Sequence, residues 1–380
     1  MEFGLTEEHI MIRDAARDFA KQELLPGVTE RDDKGIYPAE QIKKMSEMGF
    51  MGMMVDPKYG GGGMDTLSYS LAVEEISKID AAAAVVMSVN NSLVCWGIER
   101  FGTEDQKQNY LVPMATGTVI GGFCLSEPEA GSDATKQRTT AVLKGDHYVM
   151  NGTKNWITSA AHAQYFIVIA ATAPELGHKG ISAFIVDRNW AGFELGPKEN
   201  KMGMRASDTH SIMFNDMKVP VENRIGDEGF GFKLAMSILS GGRIGIASQA
   251  LGIAQGALDL AVQYSKERKA FGKFLHEHQS VAFKLADMEL EIQAARLIVH
   301  KSCWLKDEHH PDLNHFSAMA KLKAAETAMH VTTEAVQIHG GYGYVKEYHV
   351  ERLMREAKLT QIYEGTSEVQ KIVISRNLIG

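Results

Sequence analysis

The stretch Val281-Ala-Phe-Lys-Leu-Ala-Asp-Met-Glu-Leu-Glu-Ile-Gln-Ala-Ala-Arg-Leu-Ile-Val299 carries apolar side chains at Val281, Leu285, Met288, Ile292, Ala295 and Val299, in steps of 4, 3, 4, 3 and 4 residues. That is the spacing of one face of an α-helix, and it persists for about five turns. The same stripe occurs before it, at Leu251, Ala254, Leu258 and Ala261, and after it, at Met319, Leu322, Ala325, Met329, Thr332 and Val336. A last helix is expected near residues 367–378. Apolar stripes on successive long helices must cover one another, so the chain from 231 to 380 is expected to form a four-helix bundle.

Upstream the period changes. Between about 121 and 230, Gln164-Tyr-Phe-Ile-Val-Ile-Ala170 and Ile181-Ser-Ala-Phe-Ile-Val186 are rich in β-branched and aromatic residues, which favour strands. Thr139–Leu143 and His147–Met150, joined by Lys-Gly-Asp, predict a hairpin, and Asn151-Gly152 predicts the next turn. Residues 1 to about 120 read as helices again. Thr6 precedes Glu7 and Glu8 as an N-cap, Asp65 caps a helix carrying Leu67, Leu71 and Ile76, and Thr103 with Gln106 forms a capping box. Gly60 to Gly63 lacks the lysine of a phosphate-binding loop and reads as a connection. Helices, then strands, then helices predict an α+β fold, mostly α, with a segregated sheet. The domains expected are 1–120, 121–230 and 231–380.

Composition narrows the function. Hydrophobic residues are 44% and charged residues 23% of the 380, the balance of a globular chain. Forty Lys+Arg against 48 Asp+Glu give −8, which argues against a nucleic-acid surface. Three scattered cysteines, Cys95, Cys124 and Cys303, exclude a disulfide framework and suit a reducing, cytoplasmic setting. No run of ~18 apolar residues is evident, so no membrane span is expected. The opening residues lack a basic and apolar leader, so no secretory signal is expected. G-x-G-x-x-G, Walker A and HExxH are absent, and His276, His278, His309, His310 and His315 read as solvated surface, so no metal is expected.

Four stretches look chemical. Phe123-Cys-Leu-Ser-Glu-Pro-Glu-Ala-Gly-Ser-Asp133 is a β run ending in a turn whose backbone N–H groups, with Ser126 and Ser132, can hold carbonyl or phosphate oxygens. Trp156-Ile-Thr158 sets an indole beside a hydroxyl, able to flank a planar ring, although a core tryptophan has the same look. Ser240-Gly241-Gly242-Arg243 lies inside a long helical pattern. Each interior glycine costs roughly 0.8–1 kcal/mol relative to alanine, so the pair marks either a helix break or close approach of a ligand, with Arg243 supplying charge. Ile362-Tyr-Glu-Gly-Thr-Ser-Glu368 places a carboxylate before glycine, two hydroxyls and a helix start, which can bind an anion or simply be capped.

Taken with Asn155-Trp-Ile-Thr158, Arg268-Lys-Ala-Phe-Gly272, Gln279 and Gln337-Ile-His-Gly-Gly341, these stretches stand in the order found in acyl-CoA dehydrogenases, which the chain resembles from about residue 2 to 380. Arg243-Ile-Gly-Ile-Ala-Ser-Gln-Ala-Leu-Gly252 looks most like the short-chain, butyryl-CoA branch. The resemblance implies a helical N-terminal domain, a central β-barrel and a C-terminal four-helix bundle, assembled as a homotetramer with FAD and an electron-transfer flavoprotein as electron acceptor. It also implies that Phe123, Leu125, Ser126, Gly131 and Ser132 hold the flavin, with Ser132 also reaching the thioester ligand. Trp156, Ile157 and Thr158 would lie against the isoalloxazine. Arg268, Phe271 and Gln279 would reach the pyrophosphate and adenosine half across a subunit interface. Gln337, Ile338, Gly340, Gly341, Thr366, Ser367 and Glu368 would add flavin contacts, and Ser240, Gly241, Gly242, Arg243 and Gly365 would line the acyl-CoA channel.

Glu364 matches the family's catalytic base. Taking the α-proton of a thioester needs a carboxylate in an apolar pocket, where burial raises its pKa toward the working range. The β-hydride then passes to flavin N5, giving the trans-2-enoyl-CoA. Some branches carry the base on the helix at the position that is Gly242 here, which leaves Glu364 as the candidate. The short-chain branch usually has aspartate at Ser240, so branched short acyl groups stay open. An oxygen-reducing oxidase of the same fold and a non-catalytic CoA- or flavin-binding partner are the remaining readings.

Overall fold

The computed structural model describes residues 4–380. The N-terminal region is helical: α1 (Glu7–Phe19), α2 (Val28–Lys34), α3 (Ala39–Glu47), α4 (Thr66–Ser77), α5 (Ala81–Ser88), α6 (Trp96–Phe101), α7 (Glu104–Gln106) and α8 (Val112–Ala115). Its starts are where the side chains predict them. The Thr6 hydroxyl accepts from His9 N, Asp65 accepts from Ser68 N, and Thr103 and Gln106 close a reciprocal capping box.

The expected lack of a long apolar run is corrected by the structure. Ala81–Phe101 is a continuous helical stretch long and apolar enough to cross a membrane by length and composition. It is instead the central helix of this region, with 94% of its apolar window buried inside the protein. Asn90 and Asn91 show why. Their side-chain amides donate to the backbone carbonyls of Met51 and Phe50 at 2.7 and 2.8 Å, bonds that hydrocarbon would not provide.

The middle region holds β1 (Gly121–Cys124), β2 (Thr140–Lys144), β3 (His147–Thr158), β4 (Tyr165–Ala171), β5 (Ile181–Asp187), β6 (Phe193–Lys198), β7 (Thr209–Pro220) and β8 (Arg224–Ile225). They form one mixed sheet in the order β6-β7-β3-β2-β4-β5-β8, with β1 parallel to β4. β4 and β5 are buried along almost their whole length, as their continuous apolar runs require. Asn151-Gly152 does not turn the chain. β3 runs straight through it, and the register against β7 shifts between Met150 and Gly152 and again between Lys154 and Ile157. The dipeptide is a bulge, held where Asn151 exchanges two hydrogen bonds with Asp216 on β7.

The C-terminal region begins with α9 (Gly231–Glu267), a two-stranded ribbon of β9 (Lys269–Ala270) and β10 (Lys273–Phe274), α10 (Gln279–Asp307) and α11 (Leu313–His339). α12 (His349–Thr360) and α13 (Ser367–Ile379) complete it. Met288, Ile292, Ala295 and Val299 of α10 meet Leu251, Ala254, Leu258 and Ala261 of α9 in one apolar cluster. On α11 the buried face is shifted from the expected stripe. Met319, Leu322, Met329 and Val336 are half-buried, while Ala318, Lys321, Ala324 and Ala328 are fully enclosed. Small side chains let α9 and α11 approach, and the larger ones flank the seam. The charged helix α12 joins the bundle through Val350, Leu353 and Ala357, with Arg352 and Glu356 paired at 2.8 Å in the interior.

Candidate active site

The helix α9 passes through Ser240-Gly241-Gly242-Arg243 without a break, so the glycines are not a hinge. They make a notch. A Cβ at Gly242 would collide with Glu364 Oε2 and lie 2.6 Å from Leu93 Cδ2. Glu364 reaches the notch from the turn between α12 and α13, where it has φ 50° and Gly365 has φ 96°. A left-handed glutamate costs about 1–3 kcal/mol and is kept only where the surroundings demand it. Its Oε2 is buried and finds no donor among the described residues. Burial pushes the carboxyl up to about 7, against the pull of Lys321 and Arg243, whose positive charges favour the anion.

The cations come from two helices packed against that turn. Arg243, on α9, donates from Nη1 to Asn314 Oδ1 at 2.8 Å and leaves Nε without a partner. Lys321, on α11, donates to the Gly365 carbonyl at 2.7 Å. Ser240 turns its hydroxyl to the Met236 carbonyl at 3.0 Å. Tyr363 donates to Gln249 Oε1, two turns beyond the notch on α9. Thr366 caps α13 through Val369 N at 3.3 Å, Ser367 bonds Glu326 at 2.7 Å, and Glu368 is exposed.

The β region supplies a second wall. Phe123 and Leu125 pack in the same apolar cluster as Leu93, Trp96 and Tyr363, so the strand leading to Ser126 and the base turn share a core. Ser126 O accepts from Asn155 N at 2.8 Å, which sets the loop through Gly131 and Ser132 beside β3. Lys154 fixes that loop from beneath. It is fully buried, and its ammonium donates to Glu127 at 2.7 Å and to the Leu125 carbonyl at 3.1 Å. Burial pushes the Glu127 carboxyl up, but Lys154 and the N–H groups of Arg138 and Thr139 overcome this and hold it below its ordinary value. Trp156 is 59% exposed at φ 62°, so it is not a core tryptophan. Ile157 points into the core, which leaves only its main chain available to a ligand.

A third group stands apart on the bundle. Arg268, Ile338, Gly340 and Gly341 line an open cavity of about 690 Å³ with Tyr264, His339, Tyr342 and Tyr348. Gln279, Gln337 and Phe271 are exposed around the same region of sequence, and Phe271 is 97% exposed at φ 52°. Residue-by-residue reading passed over Lys154, Glu127, Lys321, Asn314 and Gln249. The one trace was Lys321 itself, a lysine inside a helical stripe of alanines at 318, 325 and 328.

Three family models cover nearly the whole chain: acyl-CoA dehydrogenase N-terminal domain over 6–118, middle domain over 122–217 and C-terminal domain over 229–379. The short-chain-specific acyl-CoA dehydrogenase of Clostridium acetobutylicum is 52% identical over 375 residues, covering 99% of each chain. The structure of butyryl-CoA dehydrogenase from Megasphaera elsdenii superposes with a TM-score of 0.98 at 50% identity, covering 100% of both chains. A chain from a structure described as the electron transferring flavoprotein of Acidaminococcus fermentans superposes equally well, with a TM-score of 0.98 at 51% identity and 100% coverage of both. A buried carboxylate in a helix notch, an exposed indole beside a hydroxyl-rich turn, and agreement from end to end leave one conclusion: the chain belongs to the acyl-CoA dehydrogenase family.

Proposed function

We propose that this protein is an FAD-dependent dehydrogenase of short-chain acyl-CoA thioesters, passing its electrons to an electron-transfer flavoprotein. The observation that carries it is the Glu364 carboxylate, buried without a donor against the Gly242 notch between two cations. The residues fit the flavin. An exposed indole at Trp156 stands beside the half-buried hydroxyls of Ser126 and Thr158, and in the bundle cavity nothing lies within 4 Å of a Cβ built on Gly340 or Gly341. FAD, when bound, supplies the hydride acceptor. Phe123, Leu125, Ser126, Gly131, Ser132, Trp156, Thr158 and the main chain of Ile157 would hold the ring. Thr366, Ser367 and Glu368 would add contacts from the base turn.

Glu364 takes the α-proton as the α-C–H bond breaks, and the β-hydrogen leaves with its electron pair. The thioester carbonyl gathers negative charge meanwhile, and the Glu364 backbone N–H is the chain's own donor for it. Arg243 and Lys321 place positive charge by the carboxylate and favour its anion. The bare backbone at Gly242 makes room for the Glu364 carboxylate itself, and the acyl-CoA channel is proposed to pass beside it, lined by Ser240, Gly241, Gly242, Arg243 and Gly365. The short acyl length is supported by the likeness to a short-chain-specific acyl-CoA dehydrogenase and to a butyryl-CoA dehydrogenase at about half identity over the whole chain. Butyryl-CoA or a branched thioester of similar size should therefore bleach the flavin under anaerobic conditions faster than octanoyl- or palmitoyl-CoA. A higher kcat/KM for palmitoyl-CoA would reject the short-chain reading, and no bleaching by any thioester would reject the dehydrogenase.

The assembly proposed is a homotetramer. Phe283, Leu290, Leu297 and Trp304 stand at intervals of seven on α10, all exposed, an apolar stripe suited to another subunit. The cavity at Arg268 and Gly340 opens outward, with Phe271, Gln279 and Gln337 exposed nearby, which supports FAD being shared between subunits. Arg268→Ala should lower flavin content and tetramer fraction together. A fully flavinated tetramer in that variant would count against it. A cytoplasmic setting is supported by three buried free thiols. Domain limits at 120/121 and 230/231 are supported by the start of β1 at Gly121 and of α9 at Gly231.

A further inference from the structure

We propose that Lys321 is a positioning residue for proton abstraction, holding the Glu364-Gly365 turn by its carbonyl and standing as the counter-charge behind the base. The inference rests on Glu364 being that base.

A lysine in this place needs a reason. Lys321 is fully buried in the middle of α11, between Ala318 and Ala325 on the enclosed face of the helix. An apolar side chain would pack there without the cost of taking an ammonium out of water. Among the described residues its ammonium has one acceptor, the Gly365 carbonyl at 2.7 Å. A neutral carbonyl is weak compensation for a buried cation, so the charge must be answered by something else nearby.

That answer is Glu364, the first among the charged groups acting on Lys321, ahead of Arg243, Glu326 and Glu368. Burial pushes Lys321 down to about 8, and Glu364 pulls it back. In the other direction Lys321 is the larger of the two cations favouring the Glu364 anion. The groups facing Glu364 are then Lys321 from α11, Arg243 from α9 and the phenols of Tyr69 and Tyr363.

The geometry adds orientation. Glu364 and Gly365 are consecutive residues at positive φ, and the strain of the glutamate has to be held by its surroundings. Gln370 Nε2 joins Lys321 on the same carbonyl at 2.8 Å. Two donors from different helices, α11 and α13, fix the direction of one C=O and so the aim of the preceding carboxylate into the Gly242 notch. Arg243 acts on the carboxylate as the second and weaker cation and makes no bond to the Gly365 carbonyl, its Nη1 going to Asn314 instead.

Three variants of the FAD-loaded enzyme separate charge from hydrogen bond. Lys321→Met removes both, Lys321→Gln keeps a donor without charge, and Lys321→Arg keeps both. Flavin content and thermal midpoint are recorded alongside the pH profile of kcat/KM with butyryl-CoA. Loss of the cation raises the Glu364 pKa, so in the Met and Gln variants the acid limb should move up by about one unit, roughly a tenfold loss at pH 6. KM should stay within about twofold, since substrate binding is not the function at issue. The Arg variant should keep the wild-type limb. A Gln variant with an unmoved limb would reduce Lys321 to a structural stitch and overturn the proposal. So would Met and Gln variants that fail to fold while Arg folds. Glu364→Gln, run in parallel, tells the two readings apart. If it turns over normally, the base assignment fails. If it is inactive and the limb of Lys321→Gln is unmoved, only the role of Lys321 fails.

Discussion

Replacing Glu364 by glutamine is expected to leave FAD and acyl-CoA binding intact while desaturation falls by at least 10²–10⁴-fold, roughly the contribution of a positioned general base. Glutamine keeps the size and polarity that fit the notch, and it replaces a carboxylate with an amide too weakly basic to take the α-proton. No second carboxylate stands ready, because the facing position on α9 is Gly242. The wild-type enzyme should show the same dependence by titration. A carboxyl raised to about 7 is mostly ionised only above that pH, so kcat/KM should fall as pH drops through 7. The variant's residual rate should lack that limb. Gly242→Glu combined with Glu364→Gly offers the complement. A side chain grown from residue 242 enters the space that Glu364 Oε2 occupies, so part of the activity should return. Near-normal turnover by Glu364→Gln, measured by rapid mixing with butyryl-CoA, would show that the base lies elsewhere.

Lys154→Met is expected to destabilise the protein by about 3–5 kcal/mol, the usual consequence of leaving one member of a buried ion pair uncompensated. Glu127 would stay behind, buried, with only the Arg138 and Thr139 N–H groups at 2.6 and 3.1 Å to satisfy it. The damage should reach the cofactor. Lys154 also binds the Leu125 carbonyl at 3.1 Å, so its removal frees the loop that carries Ser126, Gly131 and Ser132. Flavin content after gel filtration should drop along with the denaturation midpoint. Removing both charges, Lys154→Met with Glu127→Leu, should recover part of the stability because no buried anion remains. Recovery stays partial, since the two backbone N–H groups then lose their acceptor. A single Lys154→Met variant as stable as wild type would mean that water reaches Glu127.

Much of this architecture is written locally. The capping residues Thr6, Asp65 and Thr103 satisfy their own helix starts within three residues, and a stripe such as Met288, Ile292, Ala295 and Val299 needs only the helical period to be recognised. Glu364 was legible as a candidate for a related reason: a carboxylate, a glycine and two hydroxyls ahead of a helix form an unusual local sequence. Asn151-Gly152 misled because the same dipeptide serves a turn or a bulge, and its partner Asp216 lies 65 residues away. The apolar helix Ala81–Phe101 does not stand out in the sequence because its asparagines interrupt the hydrophobic run, although they bond to carbonyls of the same region. The helix α12 was hidden by its charges, of which Arg352 and Glu356 neutralise each other only once buried.

Period, caps and the order of helices and strands are properties of neighbouring residues, so the chain alone specifies the three regions and singles out the candidate base. Charge in the interior is different. Whether Lys154 and Lys321 face water, an anion or a carbonyl depends on segments brought together by folding, Glu127 and Leu125 for the first, Gly365 and Glu364 for the second. The Gly242 notch likewise has meaning only against Leu93 and Glu364, which arrive from 149 residues before it and 122 residues after it. A side chain's burial sets its electrostatic energy, and burial is a property of the packed fold.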